Sequence, residues 1–143
     1  MSKREIKFRA WDGKQIQFNF NLHQTGNGII CALKNGGMVF QKGTNIMQYT
    51  GLKDKNGVEI YEGDILKANH FIDLKGKMQY TFHSVVWSEK YNGWFAINLS
   101  NESDEEIQGN CQLFVYLKRD FEVIGNIHEN KELLNEKHDN NSI

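Results

Sequence analysis

Residues 44–66 read TNIMQYTGLKDKNGVEIYEGDIL, and the fold is decided there. Met47 and Tyr49 alternate with Ile46, Gln48 and Thr50, the period of two left by a strand with one buried face. The charged run Lys53-Asp54-Lys55-Asn56-Gly57 then interrupts the pattern. Asn and Gly both tolerate positive φ, so Asn56-Gly57 predicts a tight hairpin turn. Val58 and Ile60 resume an alternating strand, Glu62-Gly63-Asp64 forms a second turn, and Ile65, Leu66 and Ala68 open the next strand. Turn residues and β-branched residues agree along the whole stretch, which is how a chain specifies strands rather than helix.

The same punctuation extends upstream. From Glu5 to Trp11, Ile6, Phe8 and Ala10 alternate with Glu5, Lys7 and Arg9, predicting a half-buried strand with a charged outer face. Asp12-Gly13 is a hairpin turn, and Ile16, Phe18 and Phe20 then alternate against Gln15, Gln17, Asn19 and Asn21. Gly26-Asn27-Gly28 makes a loop, Ile29 to Leu33 a buried strand and Gly36-Gly37 a turn, before Met38, Val39 and Phe40 lead into the central block.

Downstream, a strand ends near His70, and Asp73, Lys75, Gly76 and Lys77 form a loop tip. Met78 to Trp87 reads as a long strand, Tyr91-Asn92-Gly93 as a turn, and Trp94 to Leu99 as a strand. Ser100 to Glu106 is an acidic solvated loop. Cys111 to Leu117 fits either a strand or a short helical turn. Phe121 to Ile127 returns to strand, Asn130 caps a terminal helix whose apolar side is Leu133 and Leu134, and Asp139 to Ser142 is a frayed tail.

The expected fold is mainly β: an N-terminal antiparallel meander packed on a small SH3-like β-barrel, with a short C-terminal helix. Strands near 64–69, 78–88, 93–99 and 121–127, plus the ambiguous segment, would make a five-stranded curl. At about 3.3 Å per residue, the strand over 78–88 is long enough to bend across two sheets. The absence of a Pro- or Ser-rich linker predicts one domain, with the meander at 1–57, the barrel lobe at 58–128 and the helix and tail at 129–143.

Composition narrows the function classes. The chain of 143 residues supports one core, and its 39% hydrophobic and 24% charged shares are those of a globular chain. It has no Pro and 13 Gly, so Gly, Asn and Asp must make the turns. A net charge of −1 argues against a broad nucleic-acid footprint. No apolar run approaches membrane-spanning length, and the basic residues of Met1 to Arg9 precede no hydrophobic region, so neither a membrane partner nor a signal peptide is expected. Cys31 and Cys111, the two cysteines, are then expected as free thiols in a reducing cytoplasm.

Four blocks carry a family resemblance. Arg4-Glu5-Ile6-Lys7-Phe8-Arg9-Ala10-Trp11-Asp12 resembles the opening of the YopX family of phage and prophage proteins. Met47-Gln48-Tyr49-Thr50-Gly51-Leu52-Lys53-Asp54 and Gly57-Val58-Glu59-Ile60-Tyr61-Glu62-Gly63-Asp64-Ile65 are similar to its central motifs, and Glu122-Val123-Ile124-Gly125-Asn126-Ile127-His128-Glu129-Asn130 to its closing one. The order is right and the blocks span nearly the whole chain, from residue 4 to residue 130, although 14–43 and 67–120 between them match no named motif. The resemblance implies an origin in mobile elements and a mainly β fold, and it brings no established reaction.

No catalytic constellation stands out, so no enzyme, cofactor or metal is expected. Asp54-x-Asn56-Gly57 fails the calcium-loop pattern, because placing Gly at its sixth position puts Leu52 first. Glu59, Glu62 and Asp64 are clustered acids, but Glu59 and Glu62 would leave a strand on opposite faces. His23, His70, His83, His128 and His138 lack ligand spacing, and both cysteines lie in apolar runs where thiols are inert. The candidate binding residues are Arg4, Lys7, Arg9, Trp11, Tyr49, Tyr61 and Glu62. Basic residues on one strand beside Trp11 could meet phosphates and stack a base; the plainer reading is a solvated face that discourages edge pairing. Aromatics such as Trp87 and Trp94 fill β cores or mark interfaces.

The favoured reading is a phage or prophage accessory protein that binds a host or phage protein without catalysis, and self-association into a homo-oligomer is expected. Nucleic-acid binding through the basic strand face is one alternative. A protein that sequesters a small ligand, such as a host defence signal, is another.

Overall fold

The computed structural model describes residues 3–24, 26–27, 30–34, 37–38, 46–100, 111–112 and 120–135. Its strands are β1 (Phe8–Trp11), β2 (Ile16–Gln17), β3 (Asn21–Gln24), β4 (Ile30–Lys34), β5 (Gly37–Met38), β6 (Ile46–Lys53), β7 (Glu59–Tyr61), β8 (Asp64–Ile72), β9 (Met78–Ser88), β10 (Gly93–Asn98), β11 (Cys111–Gln112) and β12 (Phe121–Asn126). A single helical turn, α1 (Glu132–Asn135), follows.

Among these residues the strands form three antiparallel sheets. One runs β2-β1-β6-β7, a second β11-β10-β9-β8-β12, and a third β3-β4-β5. One of the sheets curls into a half-barrel. The chain is therefore mainly β, as the turn chemistry predicts.

The central stretch behaves as its alternation requires. Met47 and Tyr49 are buried, while Ile46, Gln48 and Thr50 are partly open. Gly57 takes φ +81° and closes the β6–β7 turn, its N–H donating to the Asp54 carbonyl at 3.0 Å. The Asp54 side chain is buried beneath that turn. Its Oδ1 accepts the N–H groups of Asn56 and Val58 at 2.8 and 2.9 Å, and its Oδ2 accepts that of Val123 in β12 at 2.9 Å. A turn aspartate thus fastens the hairpin to the five-stranded sheet.

Gly63 makes the passage between the two larger sheets. It has φ +80°, and a Cβ there would lie 3.2 Å from the Met47 sulfur. Its N–H donates to Val85 O in β9 at 2.8 Å and its carbonyl accepts the N–H of Ile127, just past β12, at 2.9 Å, so hydrogen bonds fix the crossing point on both sides. Ile65 and Leu66, next in line, are both fully buried. Adjacent strand residues point to opposite faces, so β8 is covered on both sides at its start. The core gathers Ile60, Leu66, Ala68, Val85, Ala96 and Phe121, with Leu52, Trp94 and Val123 packed against it. Full burial of a large apolar side chain stabilises by about 1.5–3 kcal/mol, so this cluster dominates the balance.

Several expectations change. The strand predicted through Phe20 stops at Gln17, because Asn19 takes φ +58° and bends the chain before β3 begins. The first strand begins at Phe8, and Arg9 within it is buried rather than on a solvated face. Cys111 and Gln112 pair with Ala96 and Phe95, so the ambiguous segment begins as a strand. The Asn130 side-chain oxygen does not cap α1; it accepts the Asn126 N–H at 3.1 Å. Val39 and Phe40, residues 101–106 of the acidic loop, residues 113–117 and the tail from Asp139 lie outside the described residues, as do the two cysteine thiols.

Candidate functional site

Four of the predicted site residues meet along β1, β6 and β7. Lys7 immediately precedes β1, and its carbonyl accepts Tyr49 N–H at 2.9 Å, which holds the basic side chain beside the aromatic row. Lys7 Nζ lies 2.5 Å from Glu59 Oε1, 2.9 Å from Glu5 Oε1 and 5.5 Å from the Tyr49 ring centre. The Tyr49 and Tyr61 rings are 5.4 Å apart. The Tyr61 hydroxyl donates to Glu59 Oε2 at 3.1 Å.

These contacts shift the protonation equilibria. Hydrogen bonding to Glu59, then Glu5, raises the Lys7 ammonium above its ordinary value. The Lys7 hydrogen bond lowers the Glu59 carboxyl. Burial, reinforced by the hydrogen bond to Glu59, pushes the Tyr61 hydroxyl up to about 12. Burial also raises Tyr49. Lys7 is therefore a fully charged ammonium that already has two carboxylate partners.

Arg9, two residues on, is held differently. Its Nη2 donates to Asp64 Oδ1 at 2.6 Å and to Glu62 O at 3.3 Å, and the guanidinium carbon lies 4.8 Å from the Tyr61 ring centre. Asp64 Oδ2 accepts Tyr61 N–H at 2.7 Å. The side chains of Arg9 and Asp64 are 8% and 1% exposed, so the pair is interior. Burial pushes the Asp64 carboxyl above its ordinary range, with Arg9 pulling the other way. The pair joins the first sheet to the opening of β8. The sequence signal for it was an aspartate directly ahead of the buried pair Ile65-Leu66, which reads equally well as a solvated turn acid.

The remaining candidates separate. Trp11 stacks on His128, with ring centres 5.4 Å apart and an interplanar angle of 12°. Burial, then the charge of Arg9, lowers the His128 imidazole. Arg4 and Glu62 line a pocket of about 320 Å³ with Gln48, Trp87 and Trp94, and the Glu62 carbonyl also accepts from Arg9.

A larger groove, about 770 Å³, opens beside the Lys7–Glu59 pair. Ile6, Phe8, Phe18, Phe20 and Leu22 supply its apolar lining, with Tyr61 among the polar residues. Phe18 meets the Tyr61 ring edge-on at 6.2 Å and is still 47% exposed. The bend at Asn19 carries the chain from this wall into β3, all four of whose residues are exposed. β3 is also an edge of its sheet among the described residues. Phe18 and Leu22 were not among the predicted site residues; the alternation that placed Phe18 inside a strand concealed its exposure.

The antiparallel sheets and the linked motifs at β1, β6–β8 and β12 define a class of small β-proteins. The family described as YopX protein matches residues 7–135, and the chain belongs to it. Among solved structures, protein EF1440 from Enterococcus faecalis is 32% identical, with a TM-score of 0.57, covering 92% of this chain and 99% of that one. YopX from Bacillus subtilis is similar in fold, with a TM-score of 0.52 at 21% identity, over 89% of this chain and 94% of that one. Comparison with curated proteins found no match. No helix among the described residues is long and apolar enough to cross a membrane.

Proposed function

We propose that this chain is a non-enzymatic accessory protein of a phage or prophage, and that it binds an extended segment of a protein partner in the bacterial cytoplasm. The observation that carries the reading is the exposed strand β3, an edge of its sheet among the described residues, beside an apolar groove. A strand at a sheet edge can take an added strand, while pockets alongside take alternate side chains. Here Phe18, Leu22 and Ile6 offer the apolar contacts, and the Lys7–Glu59 pair gives the rim a polar, oriented element. The nucleic-acid alternative draws less support, because Arg9 is buried against Asp64 and Lys7 faces two carboxylates.

Affinity capture from lysogenic cells, quantified by mass spectrometry, tests the reading. A protein retained by the native chain should be lost with Phe18→Ser and Leu22→Ser, and a crosslinker at residue 22 should reach it. Capture unchanged by both substitutions, or no reproducible partner, counts against it. If the partner is a second copy of this chain, sedimentation will show a concentration-dependent oligomer that the same substitutions dissolve.

A further inference from the structure

We propose that the pocket formed by Trp87, Trp94, Arg4, Gln48 and Glu62 binds a guanine nucleotide, a site separate from the β3 groove. Trp87 and Trp94 are directly opposite across β9 and β10, with ring centres 5.1 Å apart and planes at 75°. Trp94 packs on the core and so anchors the pair, whereas Trp87 is 45% exposed. The result is an edge-to-face indole pair, anchored by Trp94 on the core, with Trp87 reaching solvent. Three polar residues from elsewhere in the chain converge on the same space of about 320 Å³: Arg4 ahead of β1, Gln48 on β6 and Glu62 at the β7–β8 turn. A few polar groups converging on an aromatic wall is the usual make-up of a small-molecule site.

The charges narrow the occupant. Among the described residues neither Arg4 nor the Glu62 carboxylate has an ion-pair partner, and Glu62 Oε2 meets only a long N–H contact from Gln48 at 3.4 Å. A simple cation would suit the indoles and Glu62 but would be repelled by Arg4. A simple anion would suit Arg4 and be repelled by Glu62. A ligand that satisfies all of them has a flat π-body, an anionic group at one end and hydrogen-bond donors at the other. A guanine nucleotide has these parts: the base stacks on Trp87, the phosphate pairs with Arg4, and the adjacent N1–H and N2–H₂ donors face the two carboxylate oxygens of Glu62. Adenine fits worse, because its N1 acceptor would face that carboxylate beside the lone N6 donor. The Gln48 amide, which can donate and accept, completes the base edge.

Intrinsic tryptophan fluorescence titrated with GMP, guanosine and AMP tests this. Saturable quenching by GMP is expected, with AMP weaker by about tenfold or more, the scale of one charge-assisted hydrogen bond. Arg4→Gln should weaken GMP by about tenfold while leaving guanosine unchanged, and Glu62→Gln should narrow the GMP–AMP difference. Trp87→Ala, at an exposed position, should keep the circular dichroism spectrum and lose binding, as read by calorimetry. A short single-stranded oligodeoxyguanosine separates the sources of the ligand: tighter binding than GMP points to nucleic acid, and equal or weaker binding to the free nucleotide. No quenching by millimolar GMP, binding that survives Trp87→Ala, or equal affinity for GMP and AMP would overturn the proposal. Phe18→Ser and Leu22→Ser should leave GMP binding unchanged, so this site and the β3 groove fail or stand independently.

Discussion

Lys7 and Arg9 lie two residues apart, and each faces an acid from the segment 59–64, yet they do different work. Lys7 and Glu59 keep about a third of their side chains open, at 36% and 30% exposure. Arg9 and Asp64 are almost entirely enclosed, at 8% and 1%. In solvent, a pair of this kind is screened and holds two long side chains in place for little net gain. In the interior, desolvation is severe, and the pair is tolerable only because Asp64 accepts Tyr61 N–H and Arg9 reaches Glu62 O as well. The same two charges therefore serve as a rim on one side and as a bolt between sheets on the other.

Breaking the interior pair should have the largest effect. Asp64→Ala leaves the Arg9 guanidinium buried with no counter-charge and strips Tyr61 N–H of its acceptor, a loss of about 3–5 kcal/mol. Urea unfolding should show this as a drop in midpoint. A midpoint near that of the native chain would mean that Arg9 finds another partner or escapes to water.

Asp54 sharpens the contrast, since it is a buried carboxylate held by three backbone N–H groups. Asp54→Ala should cost about 2–3 kcal/mol, because each unsatisfied N–H loses roughly 1 kcal/mol. Hydrogen exchange should speed up at Asn56, Val58 and Val123 together. Faster exchange at the turn alone would show that the tie to β12 is dispensable.

The acids should also titrate in opposite directions. Asp64 is raised by burial, and Glu59 is lowered by its hydrogen bond with Lys7. On acidification, carboxyl carbon shifts should show Asp64 protonating above the ordinary Asp range and Glu59 below the ordinary Glu range. Glu59's contribution to stability is present above its unfolded value and is lost only as pH falls through its depressed folded value. For Asp64 the sign reverses, because the folded state takes up the proton more readily than the unfolded one. His128 adds a term at higher pH. Its folded value is lowered, so the unfolded chain gains a proton first and stability falls as pH drops through the ordinary histidine range. His128→Phe keeps a ring against Trp11 and should remove that slope from a melting-temperature profile between pH 7 and 5.

The smallest effect belongs to the rim. Lys7→Ala should leave the unfolding midpoint unchanged within error, while weakening capture of a partner at the groove. A marked loss of stability would make Lys7 a second bolt.

Much of this fold was legible in the sequence, because strands and turns are local. Met47 and Tyr49 share one face, as their alternation with Ile46, Gln48 and Thr50 implied, and that face is the buried one; Gly57 took the turn that Asn56-Gly57 announced, and 78–88 ran as one strand. Asp54 and Asp64 were not legible as buried. A charge in a turn reads as solvated, and the partners that enclose these acids are up to 69 positions away. The candidate site divided along the same line. Lys7, Arg9, Tyr49 and Tyr61 do gather, but Trp11 turns to His128, and Arg4 and Glu62 join Trp87 and Trp94. Which residues share a space depends on how the sheets meet, and nothing periodic in the chain records that.

The most direct test is a double-mutant cycle on Arg9→Met and Asp64→Asn, measured by equilibrium urea unfolding. If the guanidinium charge is committed inside the fold, each single change is costly and the double change recovers much of the loss, with a coupling of about 1–3 kcal/mol. Costs that simply add would contradict this, and would return Arg9 to the charges available for a ligand.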